Sequence, residues 1–198
     1  ETLSFIKSPN SVLDVGSCMG DYLFSAKKFF KHCYGVEVSE KMASFVENKL
    51  NLKVFRDNFT SLTSDEKFSC IHVSHVIEHI PDPQNWLLKI KDLLSEDGVA
   101  VINIQNKYSL TGKIKLLLVK LKLKNHQWKH EKSKTPDHLY EPTVKSMKWF
   151  LEKNGFEILS YYTYSRKDII AQTLFGKIYN RFLKLGSNSR FYIRIKNN

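Results

Sequence analysis

"SVLDVGSCMGDYLFSAKKFFKHCYGVEV", residues 11–38, decides how this chain folds. SVLDVG (11–16) is an apolar run that ends in glycine, Tyr22 to Lys31 has helical character, and CYGVEV (33–38) is a second apolar run. Strand, tight turn, helix and strand in that order make a crossover unit, so the two strands lie parallel with the helix against one face.

The same alternation continues outward. Ser39 is placed to cap a helix over EKMASFVENKL (40–50), and LKVFRD (52–57) and FSCIHVS (68–74) read as strands three and four. PQNWLLKIKDLL (83–94) reads as a helix with Trp86, Leu87, Ile90 and Leu94 apolar, closed at Asp97-Gly98, and VAVINIQ (99–105) as a fifth strand. Beyond an irregular basic stretch come a helix over 142–155, a sixth strand over FEILSYYTYS (156–165) and a terminal alternating strand, RFYIRIK (190–196). This is the pattern of an α/β, doubly wound sheet. At 198 residues and 42% hydrophobic, the chain can build one domain with a sizeable core, here read as spanning 1–198 with a basic insertion or lid at about 107–137.

Three scattered cysteines, Cys18, Cys33 and Cys70, with no C-x-x-C, suggest reduced thiols. No run approaches a membrane span and no signal peptide opens the chain, so a cytoplasmic location is expected. The net charge of +11 is unevenly spread: residues 107–137 hold nine lysines against two acids, residues 165–198 eight basic side chains against one acid, and residues 1–106 are slightly acidic. Such asymmetry attracts phosphate, nucleic acid or anionic lipid, or merely solvates a surface.

In open α/β sheets, ligands bind beyond the carboxyl ends of the strands. The first such end reads Asp14-Val15-Gly16-Ser17-Cys18-Met19-Gly20, where two glycines permit a tight turn and a close approach of ligand to backbone. The spacing is not the G-x-G-x-x-G of dinucleotide enzymes. Strand two ends in Glu37, 21 residues after Gly16, and a carboxylate there can accept both hydroxyls of a ribose. Strand three ends in Asp57-Asn58-Phe59, suited to an adenine amino group and ring face.

Together these residues resemble the class I S-adenosylmethionine (SAM)-dependent methyltransferases, from about Ser11 to Phe156. VLDVGSCMG is similar to that family's first motif, YGVEVSEKM to its ribose-binding loop and FRDNF to its adenine loop. SHVIEHIPDPQNWLLKIKDLLSEDGVAVINIQN and DHLYEPTVKSMKWFLEKNGFEI are similar to the subgroup holding ubiquinone-biosynthesis O-methyltransferases, many sugar and natural-product methyltransferases and some RNA-modifying enzymes. The resemblance implies a Rossmann-like seven-stranded, mostly parallel sheet with an antiparallel last strand, and SAM as cofactor. It further implies that Asp14, Gly16, Ser17, Cys18 and Gly20 face the methionine part, with Tyr22 packed on the loop. Glu37 would hold the ribose, Val38 would belong to the cofactor site beside it, Met42 would flank the adenine, Asp57, Asn58 and Phe59 would address its edge and face, and Ser74 would border the sulfonium. Cys18 departs from the family, which usually has glycine there.

SHVIEHIPDP (74–83) contains His75-Val-Ile-Glu78-His79, the H-x-x-E-H spelling of one class of zinc peptidases. Pro81 and Pro83 leave room for little more than a helical turn, which argues against that reading. By the resemblance this turn borders the transferring methyl group. His79 is the leading candidate base, Glu78 its orienting partner, and His138 of DHLYE a second base or a structural residue. A divalent metal on His75, Glu78 and His79 is the alternative role; His75, where some relatives carry glutamate, disfavours a hard ion such as Mg²⁺.

The expected activity is O-methylation of a small-molecule, sugar or lipid-linked acceptor. An RNA methyltransferase gripping phosphates with the two basic segments is the first alternative, weakened by the scarcity of interleaved aromatics. A catalytically inactive cofactor-binding relative is the second. KIKLLLVKLKLKNHQWKH (113–130) carries two leucine-rich stripes separated by lysines, which suits either a lid over the acceptor pocket or contact with an anionic membrane surface. If the membrane reading holds, the protein co-sediments with anionic vesicles at low salt; failure to do so ends it.

Overall fold

A computed structural model describes residues 1–106, 109, 117–121, 138–165 and 186–196. Seven strands form one sheet: β1 (Ser11–Val15), β2 (His32–Val36), β3 (Lys53–Phe55), β4 (Phe68–Ser74), β5 (Leu94–Gln105), β6 (Phe156–Tyr164) and β7 (Asn188–Ile195). Their order is β3-β2-β1-β4-β5-β7-β6, and only β7 runs antiparallel to its neighbours. Among the described residues, four helices longer than a single turn accompany them: α1 (Asp21–Ala26), α2 (Glu40–Leu50), α3 (Pro83–Leu93) and α4 (Val144–Lys153). This is the doubly wound α/β sheet with an antiparallel last strand that the sequence pattern and the resemblance called for.

The central strands are buried on both faces, which is why they read as unbroken apolar runs rather than alternating ones. Alternate residues nevertheless feed two separate cores. Leu13, Val15, Ile71 and Val73 point to the side holding Trp86, Leu87 and Ile90 of α3 and Met147 and Leu151 of α4. Val12, Cys33, Val54 and Cys70 point to the side holding Leu23 of α1 and Ala43 and Val46 of α2. Helix starts follow local chemistry. The Asp82 side chain accepts the Asn85 N–H ahead of Pro83, and Thr143 and Ser146 cap α4 reciprocally.

Several boundaries differ from the sequence-based expectation. α1 stops at Ala26, because the chain must turn back to bury Phe30 before entering β2. β3 ends at Phe55, since Arg56 leaves the sheet to pair with Glu40 and Glu47 on α2. Asp97-Gly98 does not close α3. The helix ends at Leu93 and the backbone is already extended at Leu94, which pairs with Phe68 ahead of a register shift. The expected lid at 107–137 lies mostly outside the described residues; within it, 117–120 form one helical turn in which the Leu121 N–H donates to the Leu117 carbonyl at 2.9 Å. No helix among the described residues is long and apolar enough to cross a membrane.

Phe68 is fully buried at the start of β4 and meets the Tyr34 ring edge-on at 5.6 Å. Phe68→Ala should lower the unfolding free energy by about 3–5 kcal/mol in urea titrations, the usual cost of emptying such a site.

Candidate functional site

The carboxyl ends of β1, β2 and β4 lie side by side, and the loop after β1 is drawn across the tip of β2. The Gly16 and Ser17 N–H groups both donate to the Val36 carbonyl, at 2.9 and 3.0 Å. Gly16, Cys18 and Gly20 hold φ of 74°, 47° and 81°, the left-handed region that glycine adopts freely and cysteine does not. Close approach also excludes a side chain at Gly16, where an added Cβ would sit 2.7 Å from Val76 Cγ2. The cofactor loop therefore rests on the turn that follows β4.

Glu37 organises this end of the sheet. One carboxylate oxygen accepts the Cys18 N–H at 2.9 Å and the other the Ser39 N–H at 2.8 Å, with the side chain buried. Each oxygen keeps a second lone pair, which is what a ribose diol needs. Val38 and Met42, which follow Glu37 in sequence, have exposed side chains. The Ser17 hydroxyl is buried without a hydrogen-bond partner among the described residues, a polar group left for a ligand to satisfy. These features fit SAM: a diol acceptor, an open glycine loop and an unused hydroxyl. Cys18 is surface-exposed but partly desolvated; desolvation, and then the Glu37, Asp14 and Asp21 carboxylates, push its thiol above the ordinary range and keep it neutral.

Not every expected contact takes the expected form. Asp57 and Asn58 are exposed at the end of β3, but the Asn58 side chain accepts the Thr60 N–H and hydroxyl. The Phe59 ring is turned into the core, 2% exposed and 4.7 Å from Trp86, so burial takes its face away from any adenine. The Tyr22 ring stacks on His72, centroids 3.7 Å apart and ring planes nearly parallel, instead of covering the loop.

Beyond β4 the chain makes a strained turn. His75 holds φ of 55°, and its N–H donates to the Asn103 carbonyl at 3.0 Å. A left-handed non-glycine residue costs on the order of 1–3 kcal/mol and recurs at functional sites. A three-residue 3-10 turn, Ile77–His79, follows, so the peptidase spelling has no helix to carry it. Glu78 is 1% exposed, one oxygen 3.3 Å from His75 Nδ1 and the other without a partner among the described residues. Burial works to raise its pKa. The hydrogen bond from His75, its own backbone N–H and the charges of His75 and His138 outweigh that, holding the carboxyl below its usual range.

The segment before α4 is tied to this turn. The Leu139 and Tyr140 N–H groups donate to the Glu78 carbonyl at 2.9 and 3.2 Å, and the Tyr140 hydroxyl donates to the Pro81 carbonyl at 2.8 Å. His138 is thereby brought edge-on to His79, ring centroids 4.6 Å apart. Glu78, His79 and His138 each offer a ligand atom, all within 4.8 Å of one another. The candidate metal set thus changes from His75, Glu78 and His79: His75 is spent on Glu78, and His138 takes its place. A hollow of about 60 Å³ opens beside Glu78 and His138, and Glu78 also borders a groove of about 610 Å³ walled by Leu139, Tyr140, Met147, Trp149 and Phe150.

Sequence reasoning passed over His72, Asn103 and Arg190, which form a buried polar chain under the cofactor loop. A signal was present, since histidine and asparagine interrupt the apolar runs FSCIHVS and VAVINIQ.

Comparison with known proteins agrees with this geometry. The family model described as methyltransferase domain matches residues 1–161. (S)-coclaurine N-methyltransferase of Papaver somniferum is 33% identical over 105 residues, 49% of this chain and 30% of that protein. A ubiquinone biosynthesis O-methyltransferase of Glaesserella parasuis is 36% identical over 58 residues, 29% of this chain and 23% of that protein. The chain thus spans less than a third of these curated relatives. A SAM-dependent methyltransferase structure from Thermotoga maritima superposes with a TM-score of 0.70 at 18% identity, covering 98% of this chain and 86% of that one. With the family model covering most of its length and the sheet order, glycine loop and Glu37 in place, the chain belongs to the methyltransferase domain family and has the fold of the class I, SAM-dependent methyltransferases.

Proposed function

We propose that this domain methylates an oxygen of a small-molecule, sugar or lipid-linked acceptor seated at the turn after β4. The observation that carries the reading is the convergence of Glu78, His79 and His138 next to the strained His75, on a turn whose Val76 abuts Gly16 of the cofactor loop. SAM, when bound, supplies an electrophilic methyl group on a positively charged sulfur. The chain's own residues hold the acceptor, align it and take its proton. His79 is the base we assign to that proton, a role for which an imidazole is the usual side chain. Glu78, fixed by His75, carries a negative charge beside it, and His138 closes the other side. The neighbouring groove would take an apolar part of the acceptor.

The same three side chains can hold a divalent ion in place of a proton-transfer role, and an imidazole-rich set suits zinc-like ions better than Mg²⁺. Loss of turnover on chelation, restored by a transition metal, would assign that role. An amine acceptor is the second reading, supported by the similarity to (S)-coclaurine N-methyltransferase over half the chain. An RNA acceptor rests on basic segments that fall largely outside the described residues, and no observed contact favours it.

Three measurements test the proposal. Glu37→Ala should weaken S-adenosylhomocysteine binding by about 100-fold in calorimetry, from two charge-assisted hydrogen bonds of about 1.5 kcal/mol each. His79→Ala should lower turnover by roughly 10²–10⁴ while leaving that affinity within about twofold; unchanged turnover removes His79 from the role. Incubating acceptor pools with methyl-labelled SAM, then locating the label by NMR, separates O-methyl from N-methyl products, and cofactor binding with no labelled product identifies an inactive relative.

A further inference from the structure

A hydrogen-bonded chain of side chains crosses five strands on the α1 face of the sheet, and of its members only Asp14 and Ser74 have a cofactor role above. Arg190 of β7 donates from Nε to Asn103 Oδ1 at 2.7 Å and from Nη1 to the Tyr162 hydroxyl of β6 at 3.1 Å. Asn103 Nδ2 lies 3.1 Å from His72 Nε2 and 3.2 Å from the Ser74 hydroxyl. His72 Nδ1 lies 2.7 Å from Asp14 Oδ1. The sheet register sets these contacts, pairing Asp14 with His72, Asn103 with Arg190, and Arg190 with Tyr162.

The chemistry of the donors gives this chain one direction. A guanidinium only donates, so Arg190 dictates which end of the Asn103 amide faces it. The amide nitrogen must then face His72, and it too only donates, so His72 Nε2 is the acceptor. The single imidazole proton is left on Nδ1, where it donates to Asp14. Both side chains of that last pair are at least nine-tenths buried, and the Tyr22 ring covers the imidazole at 3.7 Å, shielding the bond from water.

We propose that His72, set by Asn103 and Arg190, is a positioning residue for cofactor binding: it commits one oxygen of Asp14 and so fixes the carboxylate at the root of the 16–20 loop. The inference rests on the cofactor site and is independent of which acceptor is methylated. Asp14 stands two residues before Gly16, and a carboxylate free to rotate there would leave the loop's entry and the negative charge beneath it undefined. An apolar residue at position 72, the default in a central parallel strand, would leave Asp14 buried without this donor.

Substitutions at His72 separate its two nitrogens. His72→Asn keeps a donor near the Nδ1 position, His72→Gln keeps a polar group only near Nε2, and His72→Phe keeps the ring against Tyr22 with neither. Calorimetry with S-adenosylhomocysteine should show His72→Asn within about threefold of the unaltered protein, and His72→Gln and His72→Phe weaker by tenfold or more. Nitrogen-15 NMR of the ligand-free protein should show His72 in the Nδ1–H form, and Arg190→Met should weaken that preference and raise the dissociation constant. Cofactor binding within twofold for both His72→Gln and His72→Phe, or an Nε2–H tautomer, overturns the proposal; if His72→Phe does not fold, the contrast between the Asn and Gln variants decides. Absence of binding by the unaltered protein would instead defeat the cofactor site itself, and the relay with it.

Discussion

One carboxylate holds the working end of this molecule together. Glu37 ties the Cys18 N–H of the loop after β1 to the Ser39 N–H at the head of α2, so two segments from different parts of the chain take up a common edge. Both donors belong to backbone that would otherwise need water, and a buried acid is tolerated because they satisfy it. The Val36 carbonyl adds a second tie by accepting from Gly16 and Ser17. Parallel strands make this arrangement available, since β1 and β2 finish at the same level and leave their exit loops in contact.

The turn after β4 packs on that edge and carries backbone strain of its own. Val76 occupies the space a side chain at Gly16 would need, so the loop and the turn after β4 are packed directly against each other. His75, in a left-handed conformation, donates its N–H to the Asn103 carbonyl, and Glu78 is buried with one oxygen unpartnered among the described residues. A strained residue, an acid with one oxygen unpartnered among the described residues and two facing imidazoles gather within a few ångströms, a grouping that costs stability. The carbonyl of Glu78 links it to the segment before α4 through Leu139 and Tyr140, so His138 arrives from about 60 residues away.

The pattern of apolar runs carried the fold, because parallel strands buried on both faces leave an unmistakable local signature in runs such as SVLDVG and VAVINIQ. Element ends were less legible. Gly98 looked like a helix stop and instead sits in an irregular strand entry, a matter settled by pairing between Leu94 and Phe68. Phe59 looked like a ligand contact and is a core residue, because the short turn after Asn58 aims it at Trp86.

By itself, the order of residues determined the doubly wound sheet, the glycine loop, the acid at the tip of β2 and the histidine-bearing turn after β4. Each of these is written in contiguous residues and local periodicity. Only the tertiary structure decided that His138 and not His75 completes a candidate metal-ligating set with Glu78 and His79, and that Asp14, His72, Asn103 and Arg190 form one chain. Those groupings depend on strand register and on which face each side chain takes, and a shift of a single residue would send every partner to the opposite side of the sheet.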